Sequence, residues 1–71
     1  MNTPSARLRA FGARLRKFRE NKKLTQESLA SKTGLHATYI SGLENGKRNP
    51  SLNTLDNLAS TLNIKVSDLT D

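Results

Sequence analysis

Seventy-one residues with no cysteine and a single histidine make one domain at most, and close off disulfides and thiolate metal sites. No apolar run approaches the ~20 residues of a membrane span, and the N-terminus lacks the apolar core of a signal peptide, so a cytoplasmic chain is expected. The net charge of +6 is unevenly spread: residues 1–24 carry eight bases against Glu20 alone, a balance of +7, whereas residues 25–71 carry four bases against five acids, or −1. A basic half on a small domain is the electrostatic footprint of a polyanion binder, with a merely solvated, solubilising face as the plain alternative.

In chain order, Thr3-Pro4 reads as an N-cap followed by proline in the first helical turn, where its missing N–H costs nothing. From about Ala6 to Asn21, Leu8, Phe11, Leu15 and Phe18 recur at three- and four-residue intervals and form one apolar stripe. Gly12 weakens this helix by ~1 kcal/mol relative to alanine, so its first turns are expected to fray. Asn21-Lys22-Lys23 ends it with cations that suit the negative end of the helix dipole.

Thr25 is a good N-cap for a second helix, with Gln26 and Glu27 in its first turn and Leu29 and Ala30 facing inward. Gly34 after Thr33 is the usual chemistry of a left-handed residue ending a helix. Only Leu35 and His36 then precede a third helix, Ala37 to about Asn45, so the two must meet steeply, as in a helix-turn-helix. Ser51 caps a fourth helix, in which Leu52, Leu55, Leu58, Ala59 and Leu62 form a second stripe, and Asn63 stops it. A short turn from Val66 to Thr70 completes five helices, without a strand, repeat or linker.

The third helix is unusual in its outward face. Ala37, Thr38, Ser41, Gly42 and Asn45 share one side at ~100° per residue, while Ile40 and Leu43 take the other. A face stripped of bulk and charge, in a chain this basic, points to a surface laid against something crowded and anionic, with DNA the leading candidate. One histidine, no cysteine and no convergent carboxylate pair leave nothing to serve as nucleophile, base or metal cage, so a non-enzyme without metal or cofactor is expected.

Taken together, Gln26 opening the second helix, Ala30 four residues on, Gly34 at the turn, Ile40 and Leu43, then Glu44-Asn45-Gly46-Lys47, resemble the Cro/repressor (XRE-type) helix-turn-helix DNA-binding family. LASTLNIKVSDL is similar to that family's fourth and fifth helices, and the resemblance covers nearly everything after residue 11. Thr38-Tyr39-Ile40-Ser41-Gly42 and the short length look most like controller proteins of restriction–modification systems, although phage Cro-like regulators, small antitoxins and detached repressor domains share most of these residues. The resemblance implies an all-α, compact five-helix, lambda-repressor-like domain; the first ten residues lie outside the resemblance, and residues 1–71 are read as a single domain. Residues 1–10 are then an N-terminal extension of the first helix or a flexible arm. It further implies a homodimer on a double-stranded DNA operator with two related half-sites, acting by covering a promoter or by touching RNA polymerase. No membrane and no small-molecule effector are expected partners. A protein-binding antitoxin that also binds DNA is the alternative.

By the same resemblance, the base-reading positions are Ala37, Thr38, Ser41 and Gly42. Thr38 offers a hydroxyl to a base edge or a methyl to thymine, and Ala37 meets that methyl. No residue of this face makes a bidentate contact, so much of the specificity is expected from DNA shape. Gly42 permits close backbone approach or is merely tolerated. Backbone contacts are expected from Thr25 and Gln26 at the start of helix two, and from His36 and Tyr39 beside the reading face. Asn45, Lys47, Arg48 and Asn49 beyond helix three complete the set. Each has a bland counterpart: cap, surface polar residue or half-buried ring. Arg14, Arg16 and Lys17 add long-range field, and Arg7 and Arg9 reach a minor groove only if the N-terminus is an arm. Arg19 and Glu44 match a structural ion pair of relatives. Ile64, Val66 and Leu69 form either a dimer patch or part of the monomer's own core.

Overall fold

The computed structural model describes residues 4–71, with side chains from residue 6, and the expected cap at Thr3 lies outside the described residues. Five helices follow in order: α1 (Pro4–Asn21), α2 (Gln26–Thr33), α3 (Ala37–Glu44), α4 (Leu52–Leu62) and α5 (Val66–Thr70). No strand occurs among the described residues. None of the described helices is long and apolar enough to cross a membrane.

Local chemistry sets the boundaries. Thr25 and Ser51 cap α2 and α4 by accepting the backbone N–H of Ser28 at 3.0 Å and of Thr54 at 3.1 Å. Left-handed residues end the same two helices, Gly34 at φ 76° and Asn63 at φ 58°. The carboxylate of Asp68 accepts the Lys65 N–H at 2.9 Å and starts α5. Residues 4–10 are helical and continuous with the rest of α1, so Arg7 and Arg9 belong to a helix rather than an arm. The minor-groove reading of these two arginines, conditional on an arm, therefore lapses.

The core is aliphatic. Leu15, Leu29, Ile40, Leu43, Leu58, Leu62 and Leu69 are fully buried, joined by Phe11, Ala30, Leu55 and Ala59. Burying a leucine side chain stabilises the fold by roughly 1.5–3 kcal/mol, and in a chain without disulfides this term must dominate. Leu69 departs from the expected dimer patch: α5 packs against both α1 and α4, so this side chain closes the monomer's core and presents no surface to a partner. Ile64 and Val66 only lean on the core and remain half-buried.

Gly12 has a role that helix propensity does not show. It is buried where α1 crosses the end of α3, and a Cβ there would collide with the Leu43 and Glu44 carbonyl oxygens. The missing side chain lets the two backbones meet. Asn57 of α4 supplies a further tie, donating from Nδ2 to the Thr33 carbonyl at 2.8 Å and holding the end of α2.

Candidate nucleic-acid interface

Three elements carry the candidate interface residues: the start of α2, the outward face of α3 and the loop that leaves α3. A buried polar network fixes their mutual positions. Arg19 of α1 donates from Nε to Glu44 Oε2 at 2.6 Å and from Nη2 to Glu44 Oε1 at 3.0 Å, a two-pronged pair. Its Nη1 donates to the Leu24 carbonyl at 2.6 Å, which pins the chain just ahead of α2. Arg19 and Glu44 are 8% and 9% exposed, and no buried side-chain polar atom among the described residues lacks a partner. The hydrogen bonds to Glu44 raise the Arg19 pKa against the opposing effect of burial, so the guanidinium stays charged at every accessible pH.

Gln26 joins this network, donating from Nε2 to Glu44 Oε1 at 3.2 Å. The carboxylate that ends α3 thus orients the amide that opens α2. A first-turn glutamine left loose in solvent is not what the structure contains. Thr25, by contrast, directs its hydroxyl proton to Ser28 Oγ at 2.9 Å while capping α2, so its oxygen serves the helix first.

On α3, Thr38 is exposed while Ala37, Ser41 and Gly42 are partly covered. Ala37 leans on the core with its inner side. Ser41 Oγ accepts from Asn45 Nδ2 at 3.4 Å, which links the middle of the face to its exit. His36 occupies the N-cap position with φ −87° and ψ 143°, yet its exposed side chain makes no capping bond. The simple cap reading of His36 therefore does not hold for its imidazole.

Gly42 serves a different neighbour from the one its position suggests. The stem of Arg48 lies across it, with Cγ 2.6 Å from where a Cβ on residue 42 would begin. The Arg48 guanidinium carbon sits 5.9 Å from the centre of the half-buried Tyr39 ring, within cation–π range. Tyr39 and Gly42 together hold Arg48 against α3. Within α3 itself no side chain is an amide or a guanidinium, and the loop beyond it lays the Arg48 guanidinium beside this face. Sequence spacing along a single helix could not show this, because Arg48 lies beyond the helix end.

The exit loop is set by backbone bonds. Gly46, at φ 73°, donates to the Leu43 carbonyl at 3.2 Å, and the Lys47 N–H reaches the Gly42 carbonyl at 2.9 Å. Lys47, Arg48 and Asn49 emerge from it exposed. No group of three His, Cys, Asp or Glu side chains among the described residues could hold a metal ion.

Comparison with known proteins gives consistent matches. Residues 15–69 match the helix-turn-helix family model. The control protein C.MunI of a Mycoplasma species is 47% identical over 60 residues, 83% of this chain and 81% of that protein. The crystal structure of the restriction–modification controller protein C.AhdI from Aeromonas hydrophila superposes with a TM-score of 0.87 and 45% identity, covering 90% of this chain and 97% of that one. The structure of SinR, a master regulator for biofilm formation, in complex with DNA aligns with a TM-score of 0.81 and 32% identity over 86% of this chain and 98% of that one. The chain therefore belongs to the helix-turn-helix family, the Cro/repressor (XRE-type) family that its sequence resembles.

Proposed function

We propose that this chain is a dimeric, sequence-specific transcriptional regulator that places α3 in the major groove of an operator with two related half-sites, near its own promoter. One observation carries the reading. The Arg19–Glu44–Gln26 network locks the start of α2 to the end of α3, so that a small polar face lies between two sets of phosphate-seeking groups. Gln26 and the first N–H groups of α2 form one set. Lys47, Arg48 and Asn49 form the other, and such contacts fix register while Thr38, Ser41 and Ala37 meet base edges. The matches to controller proteins and to a regulator solved on DNA support the same reading.

Thr38, an exposed side chain of the face, supplies the hydroxyl and methyl for direct readout. Arg48, held over Gly42, stands at the edge of the face among the backbone-contacting groups. The remaining discrimination falls to the deformability of the DNA between the half-sites.

The test is binding to duplex DNA from upstream of its own gene against a scrambled duplex over a salt series. The expected outcome is upstream binding tighter by ~10³-fold or more at physiological salt, with two protomers per site. Equal binding to both duplexes, fading steeply with salt, would reduce the basic half to a polyanion patch and overturn the proposal. A protein partner would then be sought.

A further inference from the structure

The cations of α1 fall into two kinds. Arg19 is committed to Glu44, and Arg16 pairs with Glu20 at 3.1 Å. Arg9 is exposed and has no carboxylate partner among the described residues. Its place on the helix is nevertheless fixed. Gly46, the left-handed residue of the exit loop, lies directly against it, with Arg9 Cγ 2.5 Å and Arg9 N and Cα 3.0 Å from where a Cβ on residue 46 would begin. Gly12, one turn further along α1, meets the Leu43 and Glu44 carbonyls in the same way. One side of α1 therefore tracks the end of α3 and continues onto the loop that carries Lys47 and Arg48.

Arg9, Lys47 and Arg48 are all exposed, and no carboxylate among the described residues pairs with any of them, so an anion approaching this loop meets three cations that the fold leaves un-neutralised. We propose that Arg9 is a DNA-backbone contact, which extends the phosphate-binding strip of the α3 exit loop onto α1. The proposal rests on the DNA-binding reading above. Its partner is the phosphate backbone of the duplex, engaged without regard to sequence, and its effect is one additional neutralised phosphate per protomer.

Arg9→Gln tests it, because glutamine retains the Cβ and Cγ that lie on Gly46 while removing the charge. Binding of the full chain to the upstream duplex and to a random duplex is measured over a salt series. The expected result is a slope of log affinity against log salt reduced by about 0.9 for each protomer's lost contact. The ratio of affinities for the two duplexes should stay unchanged. Arg9→Lys should retain most of the slope. Arg7→Gln is the control: Arg7 is exposed on the same helix but lies roughly 200° around it from Arg9. Equal slope losses for the Arg7 and Arg9 variants would mean a general field effect and overturn the contact. So would an unchanged slope in Arg9→Gln. Failure of the unmodified chain to bind either duplex would instead remove the DNA-binding reading itself.

Discussion

Lys23 holds a φ of 62°, a backbone conformation that side chains with a Cβ occupy at a cost. Its neighbours show why the chain accepts it: Lys23 N–H donates to the Glu20 carbonyl at 2.9 Å and Leu24 N–H to the Arg19 carbonyl at 3.2 Å, so the left-handed residue closes α1. Lys23→Gly is expected to stabilise the domain by about 0.5–1 kcal/mol, the relief of strain exceeding the greater freedom of an unfolded glycine. In a domain of this size that is roughly 3–6 °C in Tm, measured by thermal unfolding followed at the helical circular-dichroism band. Asn63→Gly should change Tm less, because asparagine tolerates φ 58° better than lysine tolerates 62°. A lower Tm for Lys23→Gly would mean that the lysine side chain itself stabilises the turn. These positions also mark what the sequence disclosed. Gly34 and Asn63 were legible as left-handed stops because their residue types favour that conformation. Lys23 was not, since lysine has no such preference.

Helices were the most legible level. Periodic leucines and capping residues marked α2 and α4 closely, because each signal is local and repeated. The crossings between helices were not legible, since they depend on residues distant in sequence that sit together only after folding. Gly12 is the clearest case: its helix propensity predicts a weak α1, whereas its environment predicts that any side chain would force α1 away from Leu43 and Glu44. Gly12→Ala sets these two effects against each other. Propensity favours alanine by about 1 kcal/mol. The atoms it would strike are backbone carbonyls of α3, which cannot rotate aside, and overpacking of this kind typically costs about 1–3 kcal/mol. We expect net destabilisation, seen as a lower denaturant midpoint at unchanged m-value. A shift in α1 would also move Arg19 against Glu44, so specific DNA affinity should fall with stability. A higher midpoint would show that α1 and α3 separate without loss. The Arg19–Glu44 pair was legible only through family resemblance, and its extension to Gln26 and Leu24 was not, because hydrogen-bond geometry is not written in spacing. Arg48 escaped for the same reason, as the turn at Gly46 returns it to α3.

At the scale of the whole molecule, the shape sets what a dimer must do. The domain measures 36 × 23 × 22 Å, and the proposed dimer has to bring two α3 helices about one DNA turn apart, roughly 34 Å. The α4–α5 junction offers a partly exposed apolar pair. With Leu69 turned into the core, Ile64 and Val66 are what this junction exposes in part. Val66→Glu separates an intermolecular role from an internal one. Residue 66 opens α5, where a carboxylate is favoured by the positive end of the helix, so the substitution should spare the monomer's fold. Buried across a two-fold axis, the same carboxylate would face its own copy without a partner and oppose association. Sedimentation of the unmodified chain at micromolar concentration should give a dimer, and Val66→Glu a monomer with the same helical content. On DNA, the variant should occupy half-sites independently and lose the steep dependence of full-site binding on protein concentration. A Val66→Glu chain that sediments as a dimer would place the two-fold axis elsewhere, and the 79% exposed Leu52 at the start of α4 would be the next apolar residue to test.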